Sequence, residues 1–210
     1  MLPLLAALVD SPQPVSVADT PPPRRTEIAS ANVPETSFIA GLGVTGGENA
    51  GGVAVSAQVT HRYHFLEVGG ECHAAALFSS MLGVGGVAGF HFGNAFSVRL
   101  LGAAGVHLYD GVGRGLLTDD PGISGSLPYA GGRLVLGYSF PQRRSGHRAF
   151  IGLAGMYDRD LARRTSAVTY REEDAFFGGD SYEATSTHTL GQTSVSGFLL
   201  AGVSLDLTGY

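Results

Sequence analysis

Strict alternation of apolar and polar side chains constrains this chain most, and it is clearest in the stretch GGVAVSAQVTHR, residues 51–62. The odd positions carry Val53, Val55, Ala57 and Val59, and the even positions carry Ala54, Ser56, Gln58, Thr60 and Arg62. Because successive side chains of a β-strand point to opposite faces, this stretch predicts a strand with one apolar face. That face packs on a second sheet in a soluble protein, whereas in a transmembrane barrel it faces lipid.

The same pattern recurs along the chain, in segments of about ten residues separated by turn residues. We predict eight strands, at about 37–44, 51–62, 65–78, 82–92, 96–108, 133–140, 148–157 and 194–208. The seventh is the least regular, and we place Ile151 and Leu153 on its outer face. The eighth contains Phe198 and Leu200, which interrupt its alternation.

Composition favours a membrane protein without a membrane helix. Charged residues make up 15% of the 210 residues, whereas soluble domains have about 25%. Glycines and charges interrupt every apolar run before it reaches the roughly 20 residues that a transmembrane helix needs. The sequence therefore predicts one all-β domain.

Several chemistries are disfavoured. The net charge of −5 gives no reason to expect nucleic-acid binding, and all 13 basic residues are arginine, so no lysine is present for Schiff-base chemistry. The single Cys72 cannot form an internal disulfide. No histidine pair has the spacing of a zinc site. We therefore predict neither a cofactor nor a metal site.

The N-terminal region precedes the predicted strands. Residues 1–18 begin with the apolar MLPLLAALV and end in small residues, which resembles a secretion signal that lacks its basic part. Residues 19–35 contain Pro21-Pro22-Pro23-Arg24-Arg25 and predict a proline-rich linker. The predicted barrel domain then occupies residues 36–210.

Connection lengths alternate in a way that supports a membrane barrel. The two longest connections are 110–128 and 158–189, and they follow the fifth and seventh strands, so both lie at the same end. Outer-membrane barrels have short periplasmic turns, long extracellular loops and an even number of strands starting at eight.

On these features the chain resembles the small eight-stranded outer-membrane barrels of the OmpA and OmpX transmembrane type. The resemblance covers about residues 37–210 and includes a final strand, VSGFLLAGVSLDLTGY, that ends in the aromatic Tyr210. It implies an eight-stranded antiparallel up-and-down transmembrane β-barrel in the outer membrane of a Gram-negative bacterium.

The polar faces of the predicted strands point into the lumen and form the main candidate site. Its members are Gln58, Arg62, Glu67, Glu71, His73, Arg99, His107, Arg133 and Asp206. An eight-stranded barrel is just wide enough to be filled by its own side chains, so these groups must satisfy one another. They predict a plug of ion pairs; a narrow gated pore is the alternative.

A catalytic site is a weaker alternative. Some outer-membrane barrels modify lipids with a Ser/His/acid set, and His188 near Ser186, Ser194 or Ser196 with Glu183 is the nearest candidate. No nucleophile elbow accompanies it. We therefore predict no catalytic residues.

The two long connections carry arginine, acidic and aromatic side chains. The candidate surface residues are Arg114, Arg159, Arg163, Arg164, Arg171, Tyr170, Phe176, Phe177 and Tyr182. The arginines suit lipopolysaccharide phosphates. The acids Asp119, Asp120, Glu172, Glu173, Asp174 and Asp180 lack the regular spacing of a calcium loop.

These features together predict a monomeric, non-enzymatic outer-membrane barrel that displays two long extracellular loops for surface interaction or outer-membrane integrity. Its partners are the outer-membrane lipids, lipopolysaccharide, and an unidentified extracellular molecule bound through 110–128 and 158–189. The alternatives are a barrel enzyme that modifies lipid A or phospholipids, a narrow gated pore, and a soluble lipocalin-like barrel with an apolar lumen.

Overall fold

The computed structural model describes residues 34–48, 51–77, 80–114, 120–140, 147–173 and 181–206. The predicted signal, most of the predicted linker, Asp119, Asp174, Asp180, Phe176 and Phe177 lie outside these residues. The side chains of Glu173 and Asp206 also lie outside the description, although both belong to strands.

Ten strands are present in the described residues, and eight of them close a barrel. Their bounds are β1 Glu35–Gly47, β2 Gly52–Tyr63, β3 Leu66–Leu77, β4 Ser80–Gly93, β5 Phe96–Val112, β6 Ile123–Ser139, β7 His147–Asp160, β8 Arg164–Glu173, β9 Ser181–Leu190 and β10 Thr193–Asp206. The barrel order is β1-β10-β7-β6-β5-β4-β3-β2, with antiparallel pairs throughout, and β8 and β9 form a separate two-stranded sheet. The predicted eight-stranded antiparallel barrel is confirmed.

The apolar faces of the strands form the outer wall of the barrel. In β7, where the alternation is weakest, Ile151 and Leu153 are 51% and 56% exposed. In β10, Phe198 and Leu200 are buried and face the lumen, which explains why they interrupt the alternation there. The face assignment therefore holds even for the two least regular strands.

The interior contains both an apolar wall and a set of charged side chains. Strands β1, β10, β7 and β6 contribute an inner apolar wall that contains Ile39, Val135, Phe150, Ala154, Met156, Phe198 and Leu200. The charged side chains come mostly from β2 to β7 and face this wall. The lumen is thus filled by a mixed core.

Both predicted long connections are wrong in extent. Strand β5 continues to Val112 and β6 begins at Ile123, so the connection predicted as 110–128 shortens to 113–122. Strand β7 continues to Asp160, and the connection predicted as 158–189 contains the β8–β9 hairpin. Backbone pairing therefore extends beyond the segments that alternate in hydrophobicity.

The two ends of the barrel differ. The end that we call the turn end carries the short connections after β2, β4 and β6, whereas the loop end carries the 113–122 connection and the hairpin. Among the described residues, no helix has the length and apolar character required to cross a bilayer.

Candidate functional site

The structure buries seven of the nine predicted lumen residues. Arg62, Glu67, Glu71, His73, Arg99, His107 and Arg133 are each less than 9% exposed. Gln58 is half-buried on β2, and Asp206 ends β10 opposite Glu35. Because these residues occupy alternate positions on neighbouring strands, strand closure brings them together inside one barrel. They fall into two clusters.

The turn-end cluster is organised around Glu67 of β3. Arg99 donates from Nη1 to Glu67 Oε1 over 2.8 Å, and Thr60 donates to the same oxygen. His91 donates from Nδ1 to Glu67 Oε2 over 3.0 Å. Both carboxylate oxygens are therefore occupied by donors from β2, β4 and β5.

Arg62 extends this cluster toward the end of the barrel. Its Nη1 donates to His91 Nε2 over 3.2 Å, and its Nη2 lies 2.6 Å from Glu35 Oε2. The Arg99 guanidinium lies 4.9 Å from the centre of the Phe150 ring, which places a cation over an aromatic face. The cluster thus joins the polar side of the lumen to its apolar wall.

The loop-end cluster contains a network of two ion pairs that share Arg133. Arg133 donates from Nε to Glu71 Oε2 over 3.0 Å and from Nη2 to Glu71 Oε1, and its Nη1 lies 2.6 Å from Asp158 Oδ1. The Tyr129 hydroxyl donates to Glu71 Oε1 over 3.0 Å. Bidentate pairing of this kind fixes the guanidinium plane as well as its charge.

Two histidines meet beside this ion pair. His73 Nε2 lies 3.2 Å from His107 Nε2, and the His107 ring stacks on Tyr129 with centroids 4.1 Å apart. Gly83 lies between them in the register, and a Cβ on Gly83 would lie 3.0 Å from His107 Cδ2 and closer still to the His73 ring. Because Gly83 has no side chain, the His73 and His107 rings can meet in this space.

Asp160 holds the outer side of His107. Its Oδ1 lies 2.8 Å from His107 Nδ1, and its Oδ2 accepts from the Tyr109 hydroxyl over 2.6 Å and from the Gln192 backbone N–H over 2.8 Å. Groups from β5, β7 and the residue that precedes β10 therefore meet at the loop end.

Sequence reasoning did not select some of the partners in these clusters. The site also contains Glu35, His91, Tyr109, Tyr129, Asp158 and Asp160. Alternation did place His91 on an inner face. Asp158 and Asp160 continue the inner face of β7 by the same parity, but they fall where a connection was predicted.

A separate contact joins the hairpin to the connection between β5 and β6. Asp120 Oδ2 accepts from the Ser186 hydroxyl and lies 2.9 Å from His188 Nε2, and Asp120 Oδ1 accepts from the Gly122 N–H over 2.9 Å. Burial opposes ionisation of Asp120, but the hydrogen bonds from Ser186, Gly122 and His188 outweigh it and lower its pKa.

This contact lacks the geometry of a catalytic triad. A triad histidine uses one ring nitrogen for the serine and the other for the carboxylate. Here His188 Nε2 faces both the Ser186 hydroxyl, at 3.0 Å, and Asp120. Glu183 is exposed and pairs in register with Arg171, while Ser196 donates to Thr45. Ser194 is buried on β10.

The candidate surface residues lie at the loop end, mostly within strands. Arg159 is in β7, Arg164, Tyr170 and Arg171 are in β8, and Tyr182 is in β9. Arg163 lies 3.2 Å from Glu48 in an exposed pair. Arg159 and Arg163 line a cavity of about 260 Å³. Arg114 is exposed in the connection after β5.

Of the comparisons with known proteins, the one with solved structures gives a match. No family model matches this chain, and no curated protein matches it. Among solved structures, the chain is similar to Neisserial surface protein A (NspA), with a TM-score of 0.46 and 12% sequence identity over 83% of this chain and 97% of that chain. The assignment of a closed barrel to this chain is based on its own strand pairing.

Proposed function

We propose that this chain is a non-enzymatic barrel of a Gram-negative outer membrane that presents the β8–β9 hairpin and the 113–122 connection to the cell exterior. The outer wall carries the proposal. Exposed side chains on it include Leu42 at 61%, Phe96 at 65% and Leu199 at 70%, from three different strands, while the charged groups are buried inside. A continuous apolar wall of this kind suits lipid and is uncommon on soluble monomers.

Backbone pairing supports the same conclusion. Each barrel strand pairs with two neighbours, and the β1–β10 pair closes the ring. In the hydrocarbon core no water is present to satisfy an exposed strand edge, so closed barrels are the β-structures that cross membranes. Closure is therefore what this environment requires.

Aromatic residues mark the turn end. Exposed aromatic side chains there are Tyr63, Phe65, Phe90, Phe92, Phe96, Tyr138 and Phe140. Outer-membrane barrels carry girdles of aromatic residues at both interfaces between lipid and water. These side chains support a membrane boundary at this end, with the hairpin on the opposite side in the proposed orientation.

The buried ion pairs support a structural role for the lumen. Every one of the buried carboxylates Glu67, Glu71, Asp158 and Asp160 accepts at least one hydrogen bond from a side chain of another strand. Such a plug leaves little room for a conducting path in a barrel of eight strands. We expect no steady conductance in planar bilayers.

The loop-end arginines support an interaction with lipopolysaccharide. Arg159 and Arg163 line the same cavity, where guanidinium groups could pair with lipid phosphates by charge-assisted hydrogen bonds. The polar hairpin then lies beyond the lipid and is available to an extracellular partner. The contact of its Ser186 and His188 with Asp120 attaches the hairpin to the connection between β5 and β6.

The barrel proposal is tested by heat modifiability. Protein refolded in detergent is run on a denaturing gel with and without boiling, and it is also mixed with lipid vesicles for flotation. We expect a mobility shift on boiling and flotation with the vesicles. A protein that stays soluble without detergent and does not float would contradict the proposal and favour the lipocalin-like alternative.

The lipopolysaccharide interaction needs a separate measurement. We expect lipid A in the vesicles to raise the urea midpoint of the wild type, and the double variant Arg159→Gln, Arg163→Gln to lose most of this increase. Arg114→Gln, an exposed arginine outside the cavity, is the matched control. An equal increase in all three proteins would contradict a phosphate site at the cavity.

A further inference from the structure

Three potential metal ligands meet in the loop-end cluster. His73, His107 and Asp158 come from β3, β5 and β7, all three are buried, and their ligand atoms lie within 4.8 Å of one another. We propose that His73 Nε2, His107 Nε2 and Asp158 Oδ2 bind a divalent transition-metal ion such as Zn²⁺.

Two of the three distances between these atoms are close to those around a tetrahedral ion. Zinc bonds to nitrogen of 2.0–2.1 Å place two tetrahedral ligands about 3.4 Å apart. His73 Nε2 is 3.2 Å from His107 Nε2 and 3.8 Å from Asp158 Oδ2. The third separation, between His107 Nε2 and the Asp158 carboxylate, is at most 4.8 Å, so a movement of the Asp158 side chain toward the two rings would complete three corners of the tetrahedron.

Asp160 fixes His107 in the tautomer that a metal ligand requires. The Asp160 carboxylate lies 2.8 Å from His107 Nδ1, so the ring keeps its proton on Nδ1 and directs the Nε2 lone pair into the cluster. Histidine ligands of metals almost always donate their second nitrogen to a carboxylate, a backbone carbonyl or water, which fixes the tautomer. Arg133 acts similarly on Asp158, because it holds Oδ1 and leaves Oδ2 directed at His73.

His73 is buried with one of its ring nitrogens unpartnered in the described part of the chain. Its ring is 6% exposed, and its Nδ1 has no hydrogen-bond partner among the described residues. Without a metal, one proton between the two Nε2 atoms is the contact that holds the rings together. A metal ion would bond both Nε2 atoms at once, and the displaced proton would move to His73 Nδ1, which keeps the imidazole neutral.

The local charge also favours a dication. In the part of this cluster that the structure describes, Glu71 and Asp158 pair with one guanidinium, that of Arg133, and Asp160 contacts His107. With the carboxylates ionised the sum is −2, from three negative charges and one positive. Buried charge is costly unless it is paired, so an ion of charge +2 balances the cluster.

The experiment measures zinc directly. The full chain is refolded in detergent with Zn²⁺, unbound metal is removed, and zinc per folded chain is determined by elemental analysis. We expect one zinc per wild-type chain and at least a tenfold loss in the double variant His73→Gln, His107→Gln. The heat-dependent gel shift reports separately whether each protein has folded into a barrel.

Two other histidines provide matched controls. His91 is also buried against a carboxylate, but in the turn-end cluster, and His188 contacts Asp120 outside the lumen. We expect His91→Gln and His188→Gln to retain zinc. No zinc in the wild type, equal zinc in the double variant, or loss of zinc in His188→Gln with retention in the double variant would each overturn the proposal.

A spectroscopic measurement covers the case in which the double variant does not fold. X-ray absorption of the zinc-loaded wild type should show two imidazole nitrogens and oxygen around the metal. A sulfur ligand would place the ion at Cys72, which is exposed, and would overturn the site. A spectrum with fewer than two imidazoles would do the same.

Discussion

At the scale of single residues, the buried Arg133 is the side chain whose loss should cost most. Removing one partner from a buried ion pair leaves the other charge uncompensated and costs about 3–5 kcal/mol. Arg133 compensates two carboxylates, Glu71 and Asp158. We therefore expect Arg133→Met to lower the free energy of unfolding by at least about 3 kcal/mol, measured by urea unfolding in lipid vesicles.

The exposed pair of Arg163 and Glu48 is the matched control. Its side chains are 66% and 60% exposed, and exposed pairs contribute about 0–1 kcal/mol. In vesicles without lipid A, Arg163→Met should therefore leave the urea midpoint nearly unchanged. Equal losses in the two variants would show that the lumen ion pairs do not stabilise the barrel.

Two adjacent glycines of β4 allow a second test. A Cβ on Gly85 would lie 2.6 Å from the Tyr129 hydroxyl and closer still to the Ala104 carbonyl, whereas a Cβ on Gly86 would meet its nearest atom at 3.7 Å. Because Gly85 faces the filled lumen, we expect Gly85→Ala to destabilise the barrel by about 1–3 kcal/mol through overpacking. Gly86→Ala should be tolerated, and a midpoint equal to that of Gly85→Ala would contradict this packing.

Alternation in the sequence predicts the inner faces but not the partners. Arg62, Glu67, Arg99 and Arg133 all occupy the polar positions of regular strands. Which carboxylate meets which arginine depends on the register and closure of the barrel. Glu71 and Arg133, for example, are 62 positions apart in the chain and meet across the lumen.

The meeting of His73 with His107 could not be predicted for the same reason, although each was predicted to face the lumen. His73 and His107 are 34 positions apart and Asp158 lies on a third strand, so no local spacing connects them. A search for zinc motifs detects ligands that are close in sequence. It cannot detect ligands that strand closure brings together.

At the scale of elements, the β8–β9 hairpin shows where alternation stops being informative. Its sequences, RTSAVTYREE and SYEATSTHTL, are polar at most positions of both faces. Cross-strand hydroxyl contacts replace the apolar pattern, as between Thr165 and Thr189 at 3.0 Å and between Thr169 and Thr185 at 3.2 Å. The sequence of such a strand therefore predicts a loop.

The contact between Asp120 and the hairpin should depend on pH. The pKa of Asp120 is lower in the folded chain than its ordinary value of 3.8. The contact therefore contributes fully above about pH 4, and its contribution is lost as the pH falls through the lowered pKa. We expect hydrogen exchange of the β9 amides, corrected for intrinsic rates, to increase below about pH 4 while the barrel amides stay protected.

Substitution of the carboxylate tests the same contact at neutral pH. Asp120→Ala should expose the hairpin to trypsin cleavage after Arg164 and Arg171. Asp110→Ala is the matched control, because Asp110 is an exposed carboxylate that also accepts from a serine, Ser124, over 2.7 Å. Unchanged cleavage in Asp120→Ala would show that other contacts, such as the buried Leu190, hold the hairpin.

At the scale of the whole molecule, the distribution of polarity distinguishes a membrane barrel from a soluble one. A lipocalin-like barrel requires a polar exterior and an apolar lumen. Here the outer wall is apolar and the lumen contains buried Arg62, Arg99 and Arg133. The proposed environment of the wall can therefore be tested by placing a charge on it.

Ala104 and Val53 provide that test at two depths. Ala104 is an outward residue at the middle of β5, whereas Val53 faces outward at the loop-end start of β2 and is 54% exposed. An arginine on the lipid face costs about 2–4 kcal/mol at the bilayer midplane and about 0–1 kcal/mol near the interface. In lipid vesicles, we therefore expect Ala104→Arg to lower the free energy of unfolding far more than Val53→Arg. If the wall faced water, neither arginine would be desolvated and the two variants would unfold at nearly the same urea concentration as the wild type.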